Sequence, residues 1–159
     1  MSTTLALHVL VSLVGIFSGV VVTFGFLAGK KLEGWNEVFL GTTIATSASG
    51  FLLPAKTFLP SHALAIISLV VLAVAVYARY GSKLAGSWEN SYVVSALFAQ
   101  YLNVLVLVVQ SFQKVPVALG ADPNQVAGGM PVVQLVVLAG FVYLGWKSLH
   151  EPKVSATVR

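Results

Sequence analysis

Tyr92-Val93-Val94-Ser95-Ala96-Leu97-Phe98-Ala99-Gln100-Tyr101-Leu102-Asn103-Val104-Leu105-Val106-Leu107-Val108-Val109-Gln110-Ser111-Phe112-Gln113-Lys114 is apolar enough overall to cross a bilayer, yet it carries Gln100, Asn103, Gln110 and Lys114. On a helix turning about 100° per residue, with Gln100 as zero, Asn103 falls at roughly 300°, Gln110 at roughly 280° and Lys114 at roughly 320°. Tyr92 and Ala96 share that sector, so the polar groups form one stripe about 80° wide on the same helical wheel. Lipid offers such groups no partner, and the stripe must therefore face other helices, a ligand or water. The segment predicts a membrane protein with a polar interior.

The rest of the chain agrees. Of its 159 residues, 57% are hydrophobic and 9% are charged, where a soluble domain carries about 25% charged residues. Mean hydropathy is +0.91. The formal charge of +4 sits on basic residues scattered at segment ends, which suits lipid headgroups and argues against a nucleic-acid partner. Cysteine is absent, so disulfides, thiolate metal sites and cysteine nucleophiles are excluded. No basic residue precedes Leu5, and the first apolar run extends to Ala28 without a clear small-x-small cleavage site. It reads as a retained span rather than a cleaved leader.

Runs of spanning length cover Leu5–Ala28, Ser61–Tyr80, Tyr92–Phe112 and Pro131–Leu149. The stretch Trp35–Leu53 is small and hydroxylated at its centre, from Gly41 to Gly50, and reads either as a buried span or as a loop or re-entrant segment. Charge arbitrates. With five spans, Lys30, Lys31, Arg79, Lys83, Lys147, Lys153 and Arg159 fall on one side, with Lys56 and Lys114 on the other. Omitting the second span leaves no bias between the sides. The positive-inside rule then selects five spans with the N-terminus outside and the C-terminus cytoplasmic. Trp35, Trp88 and Trp146 all fall on the basic side, as an interfacial belt requires. The expected fold class is an all-α bundle of five transmembrane helices in a single domain, spanning 5–28, 35–53, 61–80, 92–112 and 131–149. Pro54 and Pro60 bracket a short turn, Val115–Met130 reads as an irregular external loop, and the tail from Glu151 reads as frayed.

Four features bear on chemistry. His8 and His62 enter the first and third spans from the same external side, and two imidazoles at matched depth can ligate haem iron axially or bind a divalent metal. Ser12, Gly15 and Gly19 share the face of His8 and can admit a close helix or the edge of a flat cofactor. Each histidine reads also as an interfacial hydrogen bonder, and no third ligand or short-range metal motif supports the pair. In the stripe, Gln100 and Asn103 lie about 12 and 17 Å along the axis from Tyr92, in mid-hydrocarbon, and Lys114 can snorkel to the outer interface. That stripe reads either as a path or pocket for a polar ligand or quinone headgroup, or as hydrogen-bonding glue between helices. Thr42, Thr46 and Ser49 cluster on one face of the second span, where they can meet those amides or merely bond back to their own carbonyls. Finally, no carboxylate lies mid-span, which argues against a proton-coupled pump, and the absence of phosphate loops, nucleophile elbows and zinc motifs argues against a stand-alone hydrolase or kinase.

The blocks Thr46-Ser47-Ala48-Ser49-Gly50-Phe51-Leu52-Leu53-Pro54, Ser61-His62 through Ala78-Arg79-Tyr80, and Tyr101-Leu102-Asn103 through Gln110-Ser111-Phe112-Gln113-Lys114 resemble a group of small bacterial inner-membrane proteins. The resemblance covers most of the chain. It implies a bacterial inner (plasma) membrane location and a multi-pass topology, and it brings no activity, cofactor or catalytic residue. The spacing of His8 and His62 does not match the four-histidine pattern of dihaem cytochrome b561-like proteins.

Three functional expectations follow. The first is binding or permeation of a small polar solute or ion, with Gln100, Asn103, Gln110, Lys114, Thr42 and Thr46 lining the site. The second is a redox-associated membrane subunit in which His8 and His62 hold haem b or contact quinone. The third is a non-catalytic accessory or assembly subunit whose stripe is an interface. In each, the partners are the lipid bilayer and either further copies of the chain or another membrane subunit, because five short helices enclose little volume.

Overall fold

A computed structural model describes residues 3–30, 32–51 and 60–150. Among these the protein is all-α, with no strand, and has five helices: α1 (Thr3–Leu27), α2 (Glu33–Gly50), α3 (Pro60–Val76), α4 (Trp88–Ala118) and α5 (Met130–His150). The turn expected between Pro54 and Pro60 and the tail from Glu151 lie outside the described residues, as do Leu52 and Leu53 at the end of the second expected span.

The helices begin and end where local chemistry dictates. α1 stops at Gly29, which takes φ +62 while Lys30 N–H donates to Gly25 O at 2.9 Å, the left-handed glycine termination that closes a helix end. α2 opens on Glu33, an acid in the first turn where the helix dipole favours it. α3 opens on Pro60, whose missing N–H is no loss in a first turn. Past Val76 the chain widens into a π-helical turn, Tyr77–Gly81, closed by Ser82 N–H to Tyr77 O at 2.9 Å. α5 carries Lys147 and His150 in its last turn, complementing the other end of the dipole.

Among the described residues, four segments are long and apolar enough to cross a membrane: Thr3–Leu27, Ser61–Gly81, Trp88–Ala118 and Ala127–His150. α2 has 18 residues and is markedly more polar. Each helix packs against the next in sequence, and α4 also packs across to α1, which gives it neighbours on three sides. α5 rests on α4 with a slighter contact to α1, and Ser148 is its one buried residue.

The distribution of side chains is that of a membrane protein. Gln100, Asn36, Thr43, Ser18 and the alanines Ala75, Ala78 and Ala99 are buried, while Phe24 and Leu135 are 65% and 66% exposed. Small and hydrogen-bonded groups sit between the helices and large apolar groups face outward, because lipid is as hospitable to leucine as a protein core is and packing must come from close backbone approach. Phe39, on α2, is fully buried in a cluster with Val22, Leu72 and Tyr92.

The loop expected at 115–130 starts later. α4 runs 31 residues to Ala118, about 46 Å at 1.5 Å per residue, well beyond a hydrocarbon core of about 30 Å. Pro116 lies inside it and does not end it, since only the last residues follow and the final carbonyls are taken by Leu119 N–H and Ala121 N–H. The remainder is not irregular either. Asp122 Oδ1 accepts from Asn124 N–H at 2.9 Å and opens a 3₁₀ turn, Pro123–Gln125, followed by a second, Ala127–Gly129.

Candidate functional site

Polar side chains form a seam along α1, α2 and α4. In mid-bundle, Gln100 is 1% exposed, and its Nε2 donates to the carbonyl of Ile16 on α1 at 2.9 Å. The accepting carbonyl lies inside α1, so it takes this bond beyond its helical one. The other end of the amide presses on Gly19: a Cβ added there would lie 2.0 Å from Gln100 Oε1. One turn further along α4, Asn103 Nδ2 donates to Thr43 Oγ1 on α2 at 3.2 Å. Gly15 completes the close approach from the α1 side, since a Cβ there would meet Thr42 Oγ1 at 3.2 Å and Thr43 Oγ1 at 3.3 Å. The Gly15–Gly19 face is therefore filled by the chain's own side chains.

The hydroxyls of α2 divide. Thr42 bonds back to Val38 O at 2.6 Å, and Ser49 to Thr46 O at 3.1 Å. Thr43 accepts from Asn103, and Ser47 donates to Ser68 on α3 at 3.1 Å. Thr46 Oγ1 and Gln100 Oε1 are buried without a hydrogen-bond partner.

At the end of the seam where α1 begins, His8 Nδ1 lies 2.8 Å from Ser49 Oγ. Because Ser49 gives its proton to Thr46 O, His8 Nδ1 is the donor in that arrangement, which leaves Nε2 as the second nitrogen. His62 stacks on Phe51, ring centroids 5.5 Å apart. Both histidines thus lie against the C-terminal end of α2. Among the described residues no group of three His, Asp or Glu side chains gathers to hold a metal ion. Lys114 is exposed yet close enough for its charge to be felt at His8. Gln110 is exposed and stands apart from the buried amides. The structure therefore brings Gln100 and Asn103 together with α1 and α2, and separates Gln110 and Lys114 from them along the protruding end of α4.

The opposite end holds a cluster that sequence patterning alone did not single out. Tyr92 donates its hydroxyl to Asn36 Oδ1, and Asn36 Nδ2 donates to Leu32 O at 2.7 Å. Both residues are 2% exposed. Arg79, in the π-helical turn, sets its guanidinium 5.4 Å from the Tyr92 ring centroid. Phe26 on α1 meets the same ring edge-on at 5.8 Å. Tyr92 therefore joins α1, α2, the π turn and α4 at one point. The available signal was the spacing Asn36, Phe39, Leu40, Thr43, Ser47, an inward stripe of three- and four-residue steps containing the sole amide of α2. A further amide contact, Gln134 Nε2 to Leu105 O at 3.0 Å, ties α5 to α4.

Scans against protein-family models, curated proteins and solved structures find no match for this chain.

Proposed function

We propose that the protein is a non-catalytic accessory or assembly subunit of a membrane complex, embedded by five spans in the bacterial inner membrane with its N-terminus outside and its C-terminus cytoplasmic. The observation that carries this reading is the engagement of both mid-membrane amides by the chain itself: Gln100 by Ile16 O and Asn103 by Thr43 Oγ1. Amides used in this way lock helices together and leave the middle of the seam closed. α2 is the fifth span. It lacks the apolarity of the others because its inward face is the polar one, carrying Asn36, Thr43 and Ser47 against its neighbours. The outward face of α5 and the open groove of about 220 Å³ between α4 and α5, lined by Leu97, Tyr101 and Phe141 among others, are the surfaces free to meet lipid, a second copy or another membrane subunit.

A second reading rests on Gln100 Oε1 and Thr46 Oγ1, buried acceptors with no partner, which suit a small polar solute or ion passing or lodging beside the seam. Liposome flux separates the two. The accessory reading expects wild-type liposomes to be no more permeable to small ions and polar solutes than protein-free ones, with Asn103→Leu altering stability alone. Flux above background that disappears in a folded Asn103→Leu protein would replace it with the permeation reading.

A further inference from the structure

The end of the α3–α4 hairpin carries a second feature that the seam does not use. The segment Tyr77–Leu84 departs from helical geometry three times in eight residues: the π-helical turn Tyr77–Gly81, then Lys83 at φ +52 and Leu84 at φ +59. Left-handed backbone at two successive non-glycine residues is uncommon and strained, so something must hold it. Two backbone bonds do: Ser82 N–H to Tyr77 O and Leu84 N–H to Ala78 O, both 2.9 Å. They fold Lys83 back onto the turn that carries Arg79. Gly81 serves the same end, since a Cβ there would fall 2.7 Å from the Tyr77 ring.

The turn thus carries two cations, Arg79 and Lys83, on a backbone held by these bonds. The Arg79 guanidinium lies 5.8 Å from the Tyr80 ring centroid and 5.4 Å from that of Tyr92. Rings on two sides flank the planar group of Arg79, which is half-buried, and a guanidinium can match a phosphate with paired donors. Lys83, four residues further along the chain, is exposed. Tyr77 and Trp88 pack edge-on at 5.0 Å, and Tyr77, Tyr80 and Trp88 are all exposed, which is how aromatic rings stand at headgroup level. Arg79 lies about 27 Å along the helix from Ser61, the thickness of the hydrocarbon core, so it emerges at the phosphates and not within the lipid tails. Glu89 is at the same end.

We propose that Arg79 and Lys83 form a binding site for the phosphate of an anionic phospholipid in the adjoining leaflet, with Tyr77, Tyr80 and Trp88 flanking the headgroup. The site needs only bilayer embedding and holds for either orientation, so it stands or falls separately from the accessory reading. The test uses the full chain in nanodiscs of phosphatidylcholine and phosphatidylglycerol in equal amounts, followed by extraction in mild detergent and mass spectrometry of the lipid retained. Wild type is expected to keep phosphatidylglycerol in preference to phosphatidylcholine, and Arg79→Gln and Lys83→Gln each to reduce that preference by about fivefold, the usual worth of one basic residue near an anionic surface. Lys83 is outside the packed core, so its variant remains informative even where Arg79→Gln fails to fold. Lys30→Gln, on the same side but outside the turn, is expected to keep the preference, and inorganic phosphate is expected not to displace the lipid. A preference unchanged in Lys83→Gln, one lost equally in Lys30→Gln, or displacement by free phosphate would each overturn the proposal.

Discussion

The carboxamide of Gln100 on α4 lies where a side chain at position 19 on α1 would have to go, with Oε1 only 2.0 Å from the site of a Cβ on Gly19. Glycine here is a socket for a glutamine, and the two positions form one packing unit. Membrane helices associate through such close approach, because lipid supplies no hydrophobic force to drive them together.

The unit makes a quantitative prediction. Gly19→Ala must expel the buried amide, breaking its bond to Ile16 O, and is expected to destabilise the protein by about 1–3 kcal/mol, the usual range for overpacking. In a Gln100→Ala background the methyl has room, and the same change is expected to cost far less, so the two substitutions should be strongly non-additive. Gly41→Ala is the control: a Cβ there meets nothing within 4 Å, and its effect should be neutral or mildly stabilising. Thermal unfolding in detergent measures all four variants, and additive costs at positions 19 and 100 would mean the amide is not held as described.

Asn103 and Thr43 form a weaker pair. Their 3.2 Å bond joins α4 to α2, and bonds of this kind between membrane helices average about 0.6 kcal/mol. Asn103→Leu and Thr43→Val are each expected to cost roughly that amount, and the double variant little more than either alone. Denaturant titration of the four proteins of the cycle reads the coupling directly; a coupling near zero would remove the bond from the account.

How much of this the chain discloses on its own depends on the range of the interaction. The five helices follow from apolar run length and from the small, hydroxylated stretch around Thr43, both local properties. That the stripe at Gln100 and Asn103 faces other helices follows from the intolerance of lipid for amides. Their partners do not follow: Ile16 accepts through a backbone carbonyl, which has no signature in the sequence, and Gly19 reads equally well as a slot for a flat cofactor. The π turn at Tyr77–Gly81 is likewise silent, since Tyr-Ala-Arg-Tyr-Gly is compatible with ordinary helix, and Arg79 had entered only through its charge. The extension of α4 to Ala118 was hidden by Pro116, which usually marks a helix end and here falls in the last turn, beyond the span itself.

The same filled socket bears on haem. A macrocycle edge beside His8 would need the face of α1 that Thr42, Thr43 and Gln100 already cover at Gly15 and Gly19. Protein purified from its host in mild detergent is therefore expected to show no Soret band. A Soret band lost in either His8→Ala or His62→Ala would contradict this and make Ser49, which fixes the His8 ring through Nδ1, a positioning residue for an iron ligand at Nε2.

Tyr92 offers the sharpest test of the other end of the seam. Its hydroxyl donates to Asn36 Oδ1, while its ring packs against Phe26 and lies beside the Arg79 guanidinium. Tyr92→Phe keeps the ring and its contacts but strands the Asn36 carbonyl oxygen at a site 2% exposed. A buried polar atom left without its partner costs about 1–3 kcal/mol, more than the net worth of the bond itself. Asn36→Leu removes the amide and leaves the Tyr92 hydroxyl with Arg79 still beside it, so it is expected to cost less, provided leucine fits. Combining the two replaces both partners by apolar groups and should recover part of the loss, because nothing polar then remains unpaired between α2 and α4. The ordering Tyr92→Phe worst, double variant intermediate or better, is what thermal unfolding should return. Equal and additive losses would mean that the two side chains are uncoupled, and that the Tyr92–Asn36 bond is not what holds α2 against α4.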